Sequence, residues 1–345
     1  MRKRHEPSTL QAALHSRAGL LAIGWSDKKL RTAVKQKTVR RVHHGWYISQ
    51  PLWDELFWEQ QHLAHVMAVV ADAEDELGPV VAHESAAVVH ALPLYRECPP
   101  RVHVLCIGDA RSSSTPDVFR HTGPIDASEI TEIDGIRCTS LARTVVDVAR
   151  TAKLETAVAC ADAALRRVAV TDANDQWAYD EDAANELRRE MHAVLDRMPG
   201  ARGARRARWV IDFADGRAQL PGESVSRLRL VQIGFCVPDV QVRIEGPGDS
   251  FYVIDIDAER WWAEFDGNGK YLDRDMRNGA SIEQVILAEK KREDWIRART
   301  DRLTVHLADE HVRTVDSCVR RLAEYGIQAP RRRPTPDPGP PAPGC

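Results

Sequence analysis

No apolar run approaches the roughly 18 residues that a helix needs to cross a bilayer, so no membrane-spanning helix and no membrane partner are expected. The start, Met1-Arg-Lys-Arg-His-Glu6, is charged like the front of a signal peptide. No uninterrupted apolar core or cleavage site follows it, and the expected location is the cytoplasm. C-x-x-C pairs are also missing. Cys98, Cys106, Cys138, Cys160, Cys236, Cys318 and Cys345 are scattered, which disfavours a structural zinc site and suits free thiols in a reducing compartment. H-E-x-x-H is missing as well, so His83, Glu84, His90 and His121 read as helix caps or core contacts.

What is present is an uneven charge. The 345 residues sum to -3, but residues 1–50 carry eleven Lys and Arg against Glu6 and Asp27, a net +9. The remainder is therefore at -12. A basic lobe on an acidic chain suits a polyanion-binding head on a separately solvated body. The bland alternative is a disordered basic tail, against which Trp25, Trp46 and the apolar periodicity argue.

Leu10 to Ile23 suits one or two short helices, and Gly24 breaks the chain. Ser26 can cap a helix over Asp27 to about Lys37, with Trp25 and Leu30 as a hydrophobic staple. Leu30, Ala33 and Val34 make its apolar face, and Lys28, Lys29, Arg31, Lys35 and Lys37 occupy most of the rest. Val39 to Ile48 turns at Gly45 and reads as a hairpin carrying Arg40, Arg41, His43 and His44. Helix, turn, basic helix and basic hairpin is the plan of a winged helix-turn-helix over residues 1–55. Its expected partner is double-stranded DNA, contacted by Lys28, Lys29, Arg31, Lys35, Arg40 and Arg41. The structural alternative is a small domain with a solvated basic face.

These residues, with Ala82-His-Glu-Ser-Ala-Ala-Val-Val-His-Ala-Leu-Pro-Leu94, Arg101-Val-His-Val104 and Ile133 to Asp147, resemble AbiEi-type antitoxins over about residues 10–170. That resemblance implies a DNA-binding transcriptional regulator of a type IV toxin–antitoxin system. It implies a central α/β domain, over 56–170, and a cognate toxin as protein partner. Within the domain, Phe57 to Leu77 reads as a long helix and Ser85 to Ala91 as a short one. Arg101 to Ile107 reads as a strand, and Asp134-Gly135 as a hairpin turn. Thr139 or Ser140 caps the next helix, on which Arg143 and Asp147 are spaced for an ion pair, and Leu154 to Arg167 makes another. Residues 171–219 form a helical linker whose stretch Pro199 to Arg208 holds four arginines, a second phosphate-contacting patch or a solvated helix surface.

Residues 220–329 read as αβββαβ. A helix opens at Pro221, and Val237 to Ile244, Phe251 to Asp257 and Trp261 to Asp266 are strands. A charged helix from about Glu283 to Arg299 and a strand Leu303 to Leu307 follow. Alternation puts Asp255 with Asp257 on one face and Glu264 with Asp266 on one face. Converging carboxylates suit Mg²⁺ or Mn²⁺; otherwise they are solvated groups on an open sheet. The segment resembles the very-short-patch-repair-like branch of the PD-(D/E)XK endonuclease fold. The resemblance is carried by Pro221-Gly-Glu-Ser224, Gln241, Asp255, Glu264-Phe-Asp-Gly267, Lys270-Tyr271 and Glu289 to Asp294. It implies a metal-dependent DNA endonuclease with Asp255, Glu264 and Glu223 holding the ion and Asp255, Glu264, Asp266 and Lys270 as the catalytic set. Asp266 stands where the superfamily has lysine, so Lys270 would supply the positive charge. The other outcome is an inactive scaffold. The tail, 330–345, is proline-rich and expected to be disordered.

Overall fold

Residues 5–73, 78–107, 114–172, 175, 177–267 and 282–330 are described by a computed structural model. Lys270 and the tail beyond Pro330 lie outside them. The chain is mixed α/β, with three sheets among the described residues, and it divides into two compact units. One comprises residues 1–152 with 190–204, the other 153–189 with 205–345. No helix among the described residues is long and apolar enough to cross a membrane.

The first unit begins with α1 (Pro7–Ala13), β1 (His15–Ser16), α2 (Arg17–Ala22) and α3 (Asp27–Lys35). The hairpin β2 (Val39–His43) and β3 (Trp46–Ser49) and the helix α4 (Gln50–Glu55) follow. Ser16 accepts from the Gly19 N–H and Ser26 from the Lys29 N–H, so each helix start has one of its free donors satisfied. Arg17 holds Asp27 in the first turn of α3 at 2.7 Å. The sheet order is β1-β3-β2, and Leu10, Leu20, Leu30 and Ile48 are buried behind it. Helix α3 stops two residues short of the expected Lys37, whose φ of 55° leaves the helical region. Val34, expected on the apolar face with Leu30 and Ala33, is exposed.

The unit continues with α5 (Trp58–Ala71), β4 (Val80–Val81), α6 (His83–Val89), β5 (Val102–Cys106) and β6 (Val118–Thr122). It then has β7 (Ile130–Ile133), β8 (Ile136–Thr139) and α7 (Leu141–Thr151). The five strands run in the order β6-β5-β4-β8-β7. Helix α5 ends at an Asp72 cap, earlier than the expected Leu77. Asp134 and Gly135 sit at φ 49° and 75°, the turn geometry expected between β7 and β8. Ser140 caps α7, and Arg143 pairs not only with Asp147 at 2.9 Å but with Glu129 at 2.6 Å, all three buried.

The second unit holds α8 (Leu154–Ala169), α10 (Ala204–Phe213) and α11 (Pro221–Ile233); the division between units falls within α9 (Glu181–Asp196). After α11 come β9 (Asp239–Glu245), β10 (Phe251–Asp257), β11 (Trp261–Phe265), α12 (Ile282–Thr300), β12 (Leu303–Leu307) and α13 (Val315–Glu324). The sheet order is β12-β11-β10-β9, antiparallel except for the β11–β12 pair, which α12 connects. Helix α8 packs on α11. The αβββαβ order is as expected, and α13, held by a Thr314–Ser317 capping box, adds to it.

Candidate functional site

On the head, Lys28, Lys29, Arg31 and Lys35 project from α3 and Arg40 and Arg41 from β2, all exposed. None of the six has an ion-pair partner among the described residues. Lys29 lies over the Trp25 ring at 4.5 Å and Arg40 over Trp53 at 4.6 Å. Such cation–ring contacts orient a side chain without neutralising it. His43, grouped with the outward hairpin cations by sequence, instead faces inward. A register shift between Arg41 and His43 turns it toward Asp117, 3.1 Å from Nδ1, and Asp72, 3.5 Å from Nε2.

In the second unit the carboxylates take different partners. Gln241 lies at a kink where the β9–β10 pairing passes from Val242↔Ile254 to Val240↔Ile256, and its φ is 53°. Its Nε2 donates to Glu223 Oε2 at 3.0 Å and to Asp255 Oδ1 at 3.3 Å. The other oxygen of Asp255 accepts from the Phe265 N–H at 2.9 Å. Burial, reinforced by the Asp255 charge, pushes the Glu223 carboxyl well above the usual carboxylate range. Glu223, Gln241 and Asp255 are thus brought together.

Glu264 is buried but belongs to a different pairing. Both its oxygens accept from Arg292 of α12, which also donates to the Val253 carbonyl. Asp266 accepts from His306 at 3.0 Å, and Asp257 pairs with Arg302 at 2.9 Å. Hydrogen bonding to Asp266, with nearby Glu264 and Glu293, raises His306 above the usual imidazole value against its partial burial. A divalent cation at this site would take Asp255 and Glu223, and Glu264 only once Arg292 had released it. Arg292 and His306 carry no role in the sequence reading. The signal was an arginine in the charged run Glu289 to Asp294, which winds more than once round α12 and does not mark which charge turns inward.

Histidines gather in the first unit, where spacing along the chain foretold nothing. Ligand atoms of three His, Cys, Asp or Glu residues come within 4.8 Å of one another at two places among the described residues: His83, His103 and His121, and His43, His65 and Asp117. The first group is neutral at pH 7. Burial is the main cause, bringing His83 and His121 to about 3 and His103 to about 4. His83 sits at φ 51°, in the left-handed region, and stacks on His121 at 3.7 Å; His121 Nε2 lies 3.1 Å from His103 Nδ1.

No family model matches the chain. Two Mycobacterium tuberculosis proteins, MT2308 and Rv2248, both named as uncharacterized, are each 30% identical to it over 128 residues. The matched segment is 37% of this chain and 41% of each relative, so the chain spans about two-fifths of the length of the curated relatives it matches.

Proposed function

We propose that the chain binds duplex DNA through its N-terminal head and acts as a transcriptional regulator of the AbiEi antitoxin type. The observation that carries this reading is the set of six exposed cations on α3 and β2, none held by a carboxylate among the described residues. They stand on a helix–strand–helix–helix–hairpin order that suits a winged helix-turn-helix. Lys28, Lys29, Arg31 and Lys35 lie on a helix of a size that enters a major groove, and Arg40 and Arg41 on a hairpin that reaches flanking phosphates. A cognate toxin as protein partner belongs to the same reading.

A second reading, a Mg²⁺- or Mn²⁺-dependent endonuclease of the PD-(D/E)XK type, is favoured by the Glu223–Gln241–Asp255 linkage in an αβββαβ unit. Against it stands the Arg292–Glu264 pair, which neutralises one of the expected ligands. One experiment tests both. Purified protein is mixed with plasmid and short duplexes, with and without millimolar Mg²⁺, beside two variants. The regulator reading expects a salt-sensitive mobility shift that is lost when Lys28, Lys29 and Arg31 are all changed to alanine, and kept in Asp255→Asn. Unchanged binding by the triple variant would sink it. Nicking that needs the metal and disappears in Asp255→Asn would put the nuclease reading first.

A further inference from the structure

We infer that the first unit holds one divalent transition-metal ion on His43, His65 and Asp117, tying the basic hairpin to α5 and to the entrance of β6. The three ligand atoms already lie within 4.8 Å of one another and come from segments far apart in sequence. Geometry separates this group from the other histidine triad. With Zn–N bonds of about 2.0–2.1 Å, a ligating imidazole places its centroid about 3.2 Å from the ion, and two such rings at a tetrahedral angle lie about 5 Å apart. His43 and His65 stand 6.0 Å apart and tilted by 43°, within a small side-chain adjustment of that arrangement. His83 and His121 stack at 3.7 Å and 21°, so their in-plane lone pairs run side by side and do not meet at one point.

The surroundings supply an outer partner for one of the ligating rings. His43 can offer only one ring nitrogen. With Nδ1 on the ion beside Asp117, its Nε2–H is left for Asp72 at 3.5 Å, the carboxylate–histidine–metal arrangement that orients ligating imidazoles. Asp72 and Asp117 together match the charge of a dication, and their side chains are 42% and 45% exposed, which leaves a path for the ion. A protonated His43 bridging the two aspartates would account for those contacts alone. It would leave His65, whose Nε2 is buried with no hydrogen-bond partner, unexplained. Two imidazoles and a carboxylate suit Zn²⁺, Co²⁺ or Ni²⁺ better than Mg²⁺ or Ca²⁺.

His43 follows Arg41 by two residues on β2. An ion there would hold the hairpin that presents Arg40 and Arg41, so metal and DNA binding are coupled; that coupling, unlike the ion site, rests on the DNA-binding reading above. The test begins with Zn²⁺ titrated into the full chain by calorimetry, with Co²⁺ absorption as a second readout. Wild type is expected to bind one equivalent with a tetrahedral Co²⁺ spectrum. His65→Gln and Asp117→Asn are expected to weaken binding by about tenfold or more, while His121→Gln binds as wild type. Asp117 is half exposed, so its near-isosteric variant tests the ligand without a folding defect. No stoichiometric binding by wild type, or binding lost in His121→Gln and kept in His65→Gln, overturns the site. Duplex affinity is then compared in Zn²⁺ and in chelator. A difference present in wild type and absent in His65→Gln supports the coupling, and equal affinities overturn it. No duplex binding under either condition, with Zn²⁺ still bound, fails the reading of the head and leaves the ion site standing.

Discussion

Arg227 and Asp162 show what a single charged residue can demand of its neighbours. Each is 1% exposed; Arg227 donates to both oxygens of Asp162 at 2.8 and 2.9 Å and to the Phe213 carbonyl at 2.8 Å, and lies over the Phe213 ring. Removing one partner of such a pair strands the other, so Arg227→Met should lower unfolding stability by about 3–5 kcal/mol. The double variant with Asp162→Leu should recover much of that loss in urea titrations. Glu223 makes the opposite demand. Its folded-state value is raised from the ordinary 4.5 to about 8, so its contribution is complete below the unfolded value and is lost as pH rises through the folded one. Glu223→Gln should therefore gain on wild type as pH rises, by several kcal/mol at about pH 8.5 (about 1.4 kcal/mol per unit of the shift), with the difference nearly vanishing near pH 4.5. Wild-type and variant urea midpoints that fall in parallel between those pH values would refute the assignment. The histidine groups belong to this scale too: His65 and His103 look like ordinary pattern residues in their helix and strand, and only folding gives them charged or aromatic company.

At the scale of elements, the site in the second unit is set by how α11 meets β11. Gly222 approaches Phe265 so closely that a Cβ would overlap the ring, and the Phe265 N–H in turn holds Asp255. Gly222→Ala should cost about 1–3 kcal/mol by overpacking and loosen Asp255 from its backbone donor. A crystal structure or thermal melt of the variant checks both. Most elements here were legible. Ser26, Ser140 and Pro221 announce helix starts, Asp134-Gly135 announces a hairpin, and alternation marks the start of β5 and the end of β10. Helix ends were less so: Lys37 turns into the left-handed region and α5 stops at Asp72 while still in helical φ and ψ, and no side-chain pattern signals either. Alternation also placed Asp255 and Glu264 as candidates for one cluster. It could not foresee the kink at Gln241 or the reach of Arg292, which give the two carboxylates different partners.

For the whole molecule, charge asymmetry is the dominant feature: the first fifty residues carry +9 and the rest -12. The cations of α3 and β2 release counterions when they meet phosphates, so the logarithm of duplex affinity should fall with the logarithm of salt by roughly 0.9 per phosphate contacted. The slope measured in the mobility-shift series above should shrink by roughly 0.9 in a single variant, Lys28→Ala or Arg31→Ala, that removes one phosphate contact. A flat salt response in wild type would mean that this basic surface faces no polyanion.

The sequence alone determined the charge division, the order of most elements, and the caps and turns, because each of these depends on residues close together in the chain. Tertiary structure decided the partnerships. It sent Glu264 to Arg292 and Asp266 to His306, joined Glu223 to Asp255 through Gln241, and brought His43, His65 and Asp117 within reach of one ion. The physical reason is that a buried charge or imidazole takes whatever partner packing brings within about 3 Å, and that neighbour is set by strand register and helix packing between distant segments.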